Sequence, residues 1–160
     1  MRIAVISDTH IPKTAEWLPE KLCEELKNVD LILHAGDLTE IQVLERLARI
    51  APTRAVYGNM DDAAVRKALP AKEIVKAGRF RIGLTHGSGP PFRMIGKVST
   101  EFGKDVDAIV FGHTHSPKNE MRDGILFFNP GSPTDKIFAP FNSYGIIEIN
   151  DGIKAEIIKL

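Results

Sequence analysis

The chain has 160 residues, of which 43% are hydrophobic and 26% charged, with 21 Lys+Arg set against 21 Asp+Glu. These values predict one domain over residues 1–160 with a core of its own, and they exclude a disordered chain. Zero net charge argues against broad nucleic-acid binding or attraction to anionic membranes, while leaving room for a small phosphorylated ligand held by local charge.

Ile3–Ile6 is a short apolar run ending at Ser7-Asp8-Thr9-His10, which predicts a buried strand and a turn. Leu18, Leu22 and Leu26 then mark one face of a helix. Leu31–Leu33 predicts a second strand, ending at His34-Ala35-Gly36-Asp37, and Thr39 with Gln42 matches a capping box for a helix through Ile41, Leu44, Leu47 and Ala48. Ala55–Tyr57 predicts a third strand, ending at Gly58-Asn59, with a short helix near Asp62–Leu69 beyond it. This alternation implies parallel βαβ units. Lys72–Lys76 and Arg79–Thr85 read as paired strands, Phe92–Phe102 as the region of a helix, and Ala108–Phe111 as a buried strand ending at Gly112-His113. Strands are also expected around Glu120–Arg122, Ile125–Phe128, Tyr144–Ile149 and Ile153–Ile158, the last two joined by an Asp151-Gly152 hairpin. The predicted architecture is α/β: two mixed β-sheets packed as a sandwich with flanking helices. No apolar run exceeds four residues, too short for a membrane span or signal-peptide core. The single cysteine, Cys23, excludes an internal disulfide and a Cys-built zinc site, which suits a reducing, cytoplasmic setting; its expected role is packing on its helix.

The residues just past each buried strand carry the chemistry. The strand ends deliver Asp8 and His10, then Asp37, Asn59, His86, and finally His113 with His115. Carboxyl ends of strands in α/β sheets line ligand crevices. If these ends meet, seven oxygen and imidazole donors converge. Such a set, without thiolate, suits Mn²⁺, Fe, Co²⁺, Ni²⁺ or Zn²⁺ better than Ca²⁺ or Mg²⁺, and seven donors suit two ions rather than one. Glycines beside the donors (Gly36, Gly58, Gly87, Gly112) allow tight turns and close backbone approach.

Asp8-Thr9-His10, Gly36-Asp37, Gly58-Asn59, His86-Gly87 and Gly112-His113-Thr114-His115 resemble, in order, the five blocks of the calcineurin-like metallophosphoesterase superfamily. Asn129-Pro130-Gly131-Ser132 and the short length are similar to its small bacterial and archaeal phosphodiesterase branch, which also includes a vacuolar-sorting scaffold without catalysis. The resemblance implies an αββα fold, a phosphodiesterase activity and two divalent metals, Mn²⁺ foremost. It implies one ion on Asp8, His10, Asp37 and His115, and another on Asp37, Asn59, His86 and His113, with Asp37 as the bridge. Asp37, Asn59 and His86 would form the catalytic centre, and a hydroxide between the ions would attack phosphorus in line. The alternatives are a phosphomonoesterase or nucleotide pyrophosphohydrolase, and a protein-interaction scaffold; against the scaffold, all seven donors are retained. The implied partner is a small phosphate-ester substrate, with a homo-oligomer possible in addition.

One position departs from the family pattern. Many members carry a histidine directly after the block asparagine, proposed to protonate the leaving group; here Met60 stands there and cannot transfer a proton. Either the leaving group departs as a stable anion, or water or another residue such as His34 supplies the proton. Other residues have plainer competing roles. Asp8, His10 and Asn59 each fit a turn, and Asp61 and Asp62 fit caps of the next helix. Asn129 and Ser132 fit either contacts to substrate or a ligand histidine, or a structural turn. Arg54, Arg66 and Arg93 are candidate phosphate contacts or solvated surface, and Phe138 and Phe141 are candidates for a pocket wall, an oligomer contact or core.

Overall fold

A computed structural model describes residues 1–160. Ten strands form two five-stranded sheets. The first has the order β10(Ile153–Lys159)-β9(Ser143–Ile149)-β1(Arg2–Ile6)-β2(Leu31–His34)-β3(Thr53–Ala55), and the second β4(Lys72–Ala77)-β5(Phe80–Thr85)-β6(Ala108–Val110)-β8(Ile125–Asn129)-β7(Lys118–Arg122). In the first sheet β1, β2 and β3 run parallel while β9 and β10 pair antiparallel. In the second, β5, β6 and β8 are parallel, flanked by antiparallel β4 and β7.

Three apolar clusters explain the layering. The largest lies between the sheets and alternates along β1, where Ile3 and Val5 face it. Ala4 and Ile6 turn the other way, into a second cluster with Leu22 and Leu26 of α1(Glu20–Leu26), Val43 and Leu47 of α2(Ile41–Ala48), and Val65 of α3(Ala63–Ala68). A strand buried on both faces needs an unbroken apolar run, and residues 3–6 supply one. The third cluster packs Met94, Val98 and Phe102 of α4(Met94–Phe102) on the outer face of the second sheet. The result is the expected helix–sheet–sheet–helix arrangement. No helix is long and apolar enough to cross a membrane.

Two local expectations are corrected. The third strand is Thr53–Ala55 rather than Ala55–Tyr57. It is an edge strand on which Arg54 is exposed and Thr53 half-buried, so apolarity alone places it too late. Thr39 does not cap α2. Glu40 holds the cap position without a side-chain bond, and Thr39 lies at φ +87° with its N–H bound to Asp61. Asp62 does cap α3, accepting from the Val65 N–H at 2.8 Å. Cys23 is half-buried on α1, packed against the second cluster.

Between the sheets the fit is tight at Gly145 of β9, where a Cβ would lie 2.2 Å from Cε1 of the fully buried Phe128. Gly145→Ala is therefore expected to destabilise the protein by about 1–3 kcal/mol, the usual cost of overpacking. Urea unfolding measures this.

Candidate metal centre

The two sheets place the ends of β1, β2, β3, β5 and β6 together, and the seven donors lie just beyond those ends. They form one connected group. His115 Nε2 lies 3.4 Å from Asp8 Oδ1 and 3.4 Å from His10 Nε2. His10 Nε2 lies 3.8 Å from Asp37 Oδ2, which is 3.3 Å from His86 Nε2. His86 Nε2 is 3.1 Å from Asn59 Oδ1, which is 2.9 Å from His113 Nδ1. Asp8, His10 and His115 offer donor atoms within 4.8 Å of one another, and so do Asp8, Asp37 and His86.

The remaining ring nitrogens show how the donors are oriented. Ala35 O lies 2.7 Å from His86 Nδ1, Gly89 O lies 3.1 Å from His113 Nε2, and the Asp135 carboxylate contacts His115 Nδ1. Each of these acceptors selects the tautomer that points a lone pair inward, the usual support of a metal-bound histidine. Lone pairs of imidazole, carboxylate and amide oxygen then face one another in a space that is buried at Asp8, Asp37 and His86 and open to solvent at Asn59, an arrangement that suits a cation. The donor set therefore fits divalent metal.

The electrostatics agree. Burial pushes the Asp8 carboxyl up from its ordinary value. Burial acts on Asp37 in the same sense, but hydrogen bonding and charge from His86, with the Met60 N–H, hold it below the usual carboxylate range. Burial would lower His86, yet the bond to Asp37 and the charges of Asp8 and Asp37 raise it to about 9. In the protein alone the positive charge that Asp37 faces comes from protonated His86, a charge that a bound cation would replace.

The backbone is distorted where the donors sit. Asp8, His10, Asp37, His113 and His115 have φ of +52°, +46°, +58°, +69° and +54°. Left-handed conformations are uncommon outside glycine and cluster at functional sites. Asp61 braces these loops: its carboxylate accepts from the N–H groups of Asp37 (3.0 Å), Thr39 (2.5 Å) and Gly58 (2.6 Å). It is a brace, not the helix cap that its position suggests. Gly58 is required by proximity, since a Cβ there would sit 2.2 Å from Asp37 Oδ1.

Placement decides several alternatives that the sequence leaves open. His34 is fully buried, with burial and His86 lowering it to about 3, and Nε2 rests 3.1 Å from Thr9 Oγ1; it cannot reach a leaving group. Asn129 and Ser132 bind neighbouring loops. Asn129 donates to Gly112 O and Thr114 Oγ1, and Ser132 donates to Asp8 O, so both hold donor loops. Arg54 pairs with Glu73, and Arg66 donates to the carbonyls of Asp61 and Asn59. Arg93 stacks on Phe92 away from the donors. Phe138 is exposed and Phe141 half-buried, so neither is core. Sequence patterning marks neither Asp135 nor Lys13. Lys13 lines the donor cavity; Asp135, which lines it too, is distant in sequence and carries no motif.

A calcineurin-like phosphoesterase superfamily domain model matches residues 1–152. The chain belongs to that superfamily. A relative named a probable metallophosphoesterase, from Methanocaldococcus jannaschii, is 38% identical over 100% of this chain and 82% of its own length. Among solved structures, wild-type Vps29 complexed with Zn²⁺ from Entamoeba histolytica superposes with a TM-score of 0.77 at 27% identity, covering 99% of each chain. An archaeal phosphodiesterase superposes at 0.79 and 24% identity over 100% of both chains, a likeness of fold. The phosphoesterase fold and the donor cluster therefore coincide in this chain.

Asp135 offers a test of the orientation. Removing the acceptor of a metal-bound histidine typically lowers metal affinity by roughly 10–100-fold. Asp135→Ala is expected to do so for one ion while leaving the other nearly unchanged, as read by Mn²⁺ titration calorimetry.

Proposed function

We propose that this phosphoesterase is a cytoplasmic phosphodiesterase working with two divalent metals, Mn²⁺ foremost, on a small phosphate-ester substrate. The supporting observation is the single connected set of seven donors at five strand ends. Asp8, His10, Asp37 and His115 would hold one ion; Asp37, Asn59, His86 and His113 would hold the other. Asp37 is suited to bridge because Oδ2 faces His10 and His86 together, while Oδ1 is occupied by the Met60 N–H at 2.7 Å. When bound, such a pair supplies Lewis acidity, making water acidic enough to serve as nucleophile and neutralising phosphoryl charge.

In the reaction a water oxygen bonds to phosphorus and the P–O bond to the leaving group breaks, giving a phosphomonoester and an alcohol or phenol. Asn59, His86 and His113 would act on the phosphoryl group through the ion they hold, and Asp8, His10 and His115 through theirs. Lys13 at the cavity margin adds positive charge for the substrate. Neither Met60, which lines the cavity where a histidine is common, nor His34, which is sealed away, can protonate the leaving oxygen. The chemistry thus favours leaving groups that are stable as anions.

Chelation should abolish hydrolysis of bis(p-nitrophenyl) phosphate and Mn²⁺ should restore it, with the diester turned over faster than p-nitrophenyl phosphate. Asp37→Ala should lose both ions and reduce turnover by a factor on the order of 10²–10³ or more, whereas His113→Ala should weaken mainly one. Two bound ions with no turnover of diester or monoester would instead favour the scaffold reading. A second comparison addresses the proton. Methyl p-nitrophenyl phosphate should be cleaved far faster than dimethyl phosphate; equal rates would show that the protein supplies a proton after all.

A further inference from the structure

The cavity lined by five of the donors, His10, Asp37, Asn59, His113 and His115, has a second wall that the donors do not form. Ile137 and Phe138, in the loop between β8 and β9, are 82% and 73% exposed, yet they line the same cavity of about 510 Å³ as His10, Asp37 and His113. Met60, 46% exposed, lines it too. Large apolar side chains left in solvent mark binding sites when they are held in place rather than scattered.

This wall is held. The Asp135 carboxylate accepts from the N–H groups of Ile137 at 2.8 Å, Phe138 at 3.2 Å and Ala139 at 3.1 Å, and Asn142 donates to the Asp135 carbonyl at 2.6 Å. The same carboxylate contacts His115 Nδ1. The Phe138 ring stands edge-on to His115, with centroids 5.9 Å apart and planes at 83°. One carboxylate therefore fixes a donor histidine and, beside it, an exposed aromatic ring.

We propose that Phe138, with Ile137 and Met60, binds an aromatic substituent of the phosphodiester, a nucleobase or an aryl group. This rests on the phosphodiesterase reading and names its substrate class. An exposed ring and a thioether side chain together favour a flat π-system, through aromatic stacking and sulfur–ring contact. The cavity falls in the range of roughly 300–1,000 Å³ typical of sites for ligands much larger than an alkyl phosphate. A protein partner is less favoured, because these side chains border the donor cavity.

The test uses the Mn²⁺-loaded full chain and three esters that release the same p-nitrophenolate: phenyl, methyl, and thymidine 5′-p-nitrophenyl phosphate. The wild type is expected to prefer the phenyl and thymidine esters over the methyl ester in kcat/KM. Phe138→Ala should lower that preference about tenfold, mainly through KM, consistent with the stacking of one ring, and Phe138→Trp should keep it. Loss for both aromatic esters marks a general aromatic site; loss for only one identifies the source of the ring. A preference unchanged in Phe138→Ala overturns the proposal. So does a wild-type dimer that Phe138→Ala converts to a monomer, since the ring would then be a chain–chain contact. If wild type with two ions cleaves none of the esters, the phosphodiesterase reading falls. Calorimetry of the phenyl ester then decides this proposal separately: Phe138-dependent binding supports it and Phe138-independent binding overturns it.

Discussion

Five of the seven donor residues hold φ between +46° and +69°, and the rest of the structure is arranged so that they can. Each such residue costs on the order of 1–3 kcal/mol, less for Asp and His than for bulkier side chains, and it persists only where its surroundings fix it. Those surroundings are visible. Asp61 ties the loops after β2 and β3 through three N–H groups. Ser132 fastens the Asp8 carbonyl, and Asn129 fastens Gly112 beside His113. The Asp8 carboxylate itself accepts from the His113 N–H, at 3.1 Å from both oxygens. Backbone and donors are thus one hydrogen-bonded unit spanning both sheets.

The layered core makes that unit rigid. Strands β1 and β2 are buried on both faces, so their ends cannot shift without opening two apolar clusters. Converging lone pairs are costly without a cation; the core's burial energy offsets that cost and holds these side chains together. Function and stability therefore pull in opposite directions at the strand ends, as expected of preorganised sites. The apolar wall at Ile137 and Phe138 extends the same logic. It is fixed by Asp135, which also contacts His115, so the donor cluster and the proposed substrate wall share one anchor.

Much of this was legible in the sequence because parallel strands buried on two faces write themselves as apolar runs. Ile3–Ile6, Leu31–Leu33 and Ala108–Phe111 are such runs, and the polar residues directly after them had to lie at strand ends. The sandwich and all seven donors could be read that way. The features that stayed hidden belong to groups without periodicity. The edge strand Thr53–Ala55 carries polar residues, so its start was concealed. Thr39 resembles a cap, but a left-handed backbone and Asp61 take it elsewhere. Asp135 lies 20 positions from the histidine it orients, and no local pattern relates the two. Sequence does not report depth, so it cannot show that His34, at 0% exposure, is out of reach.

Whether these strand ends grip a pair of cations is tested most directly by crystals grown with Mn²⁺ and measured for anomalous scattering. Two peaks, sharing Asp37 and together contacting Asp8, His10, Asn59, His86, His113 and His115, are predicted. A single peak, or peaks ligated by other side chains, would contradict the account.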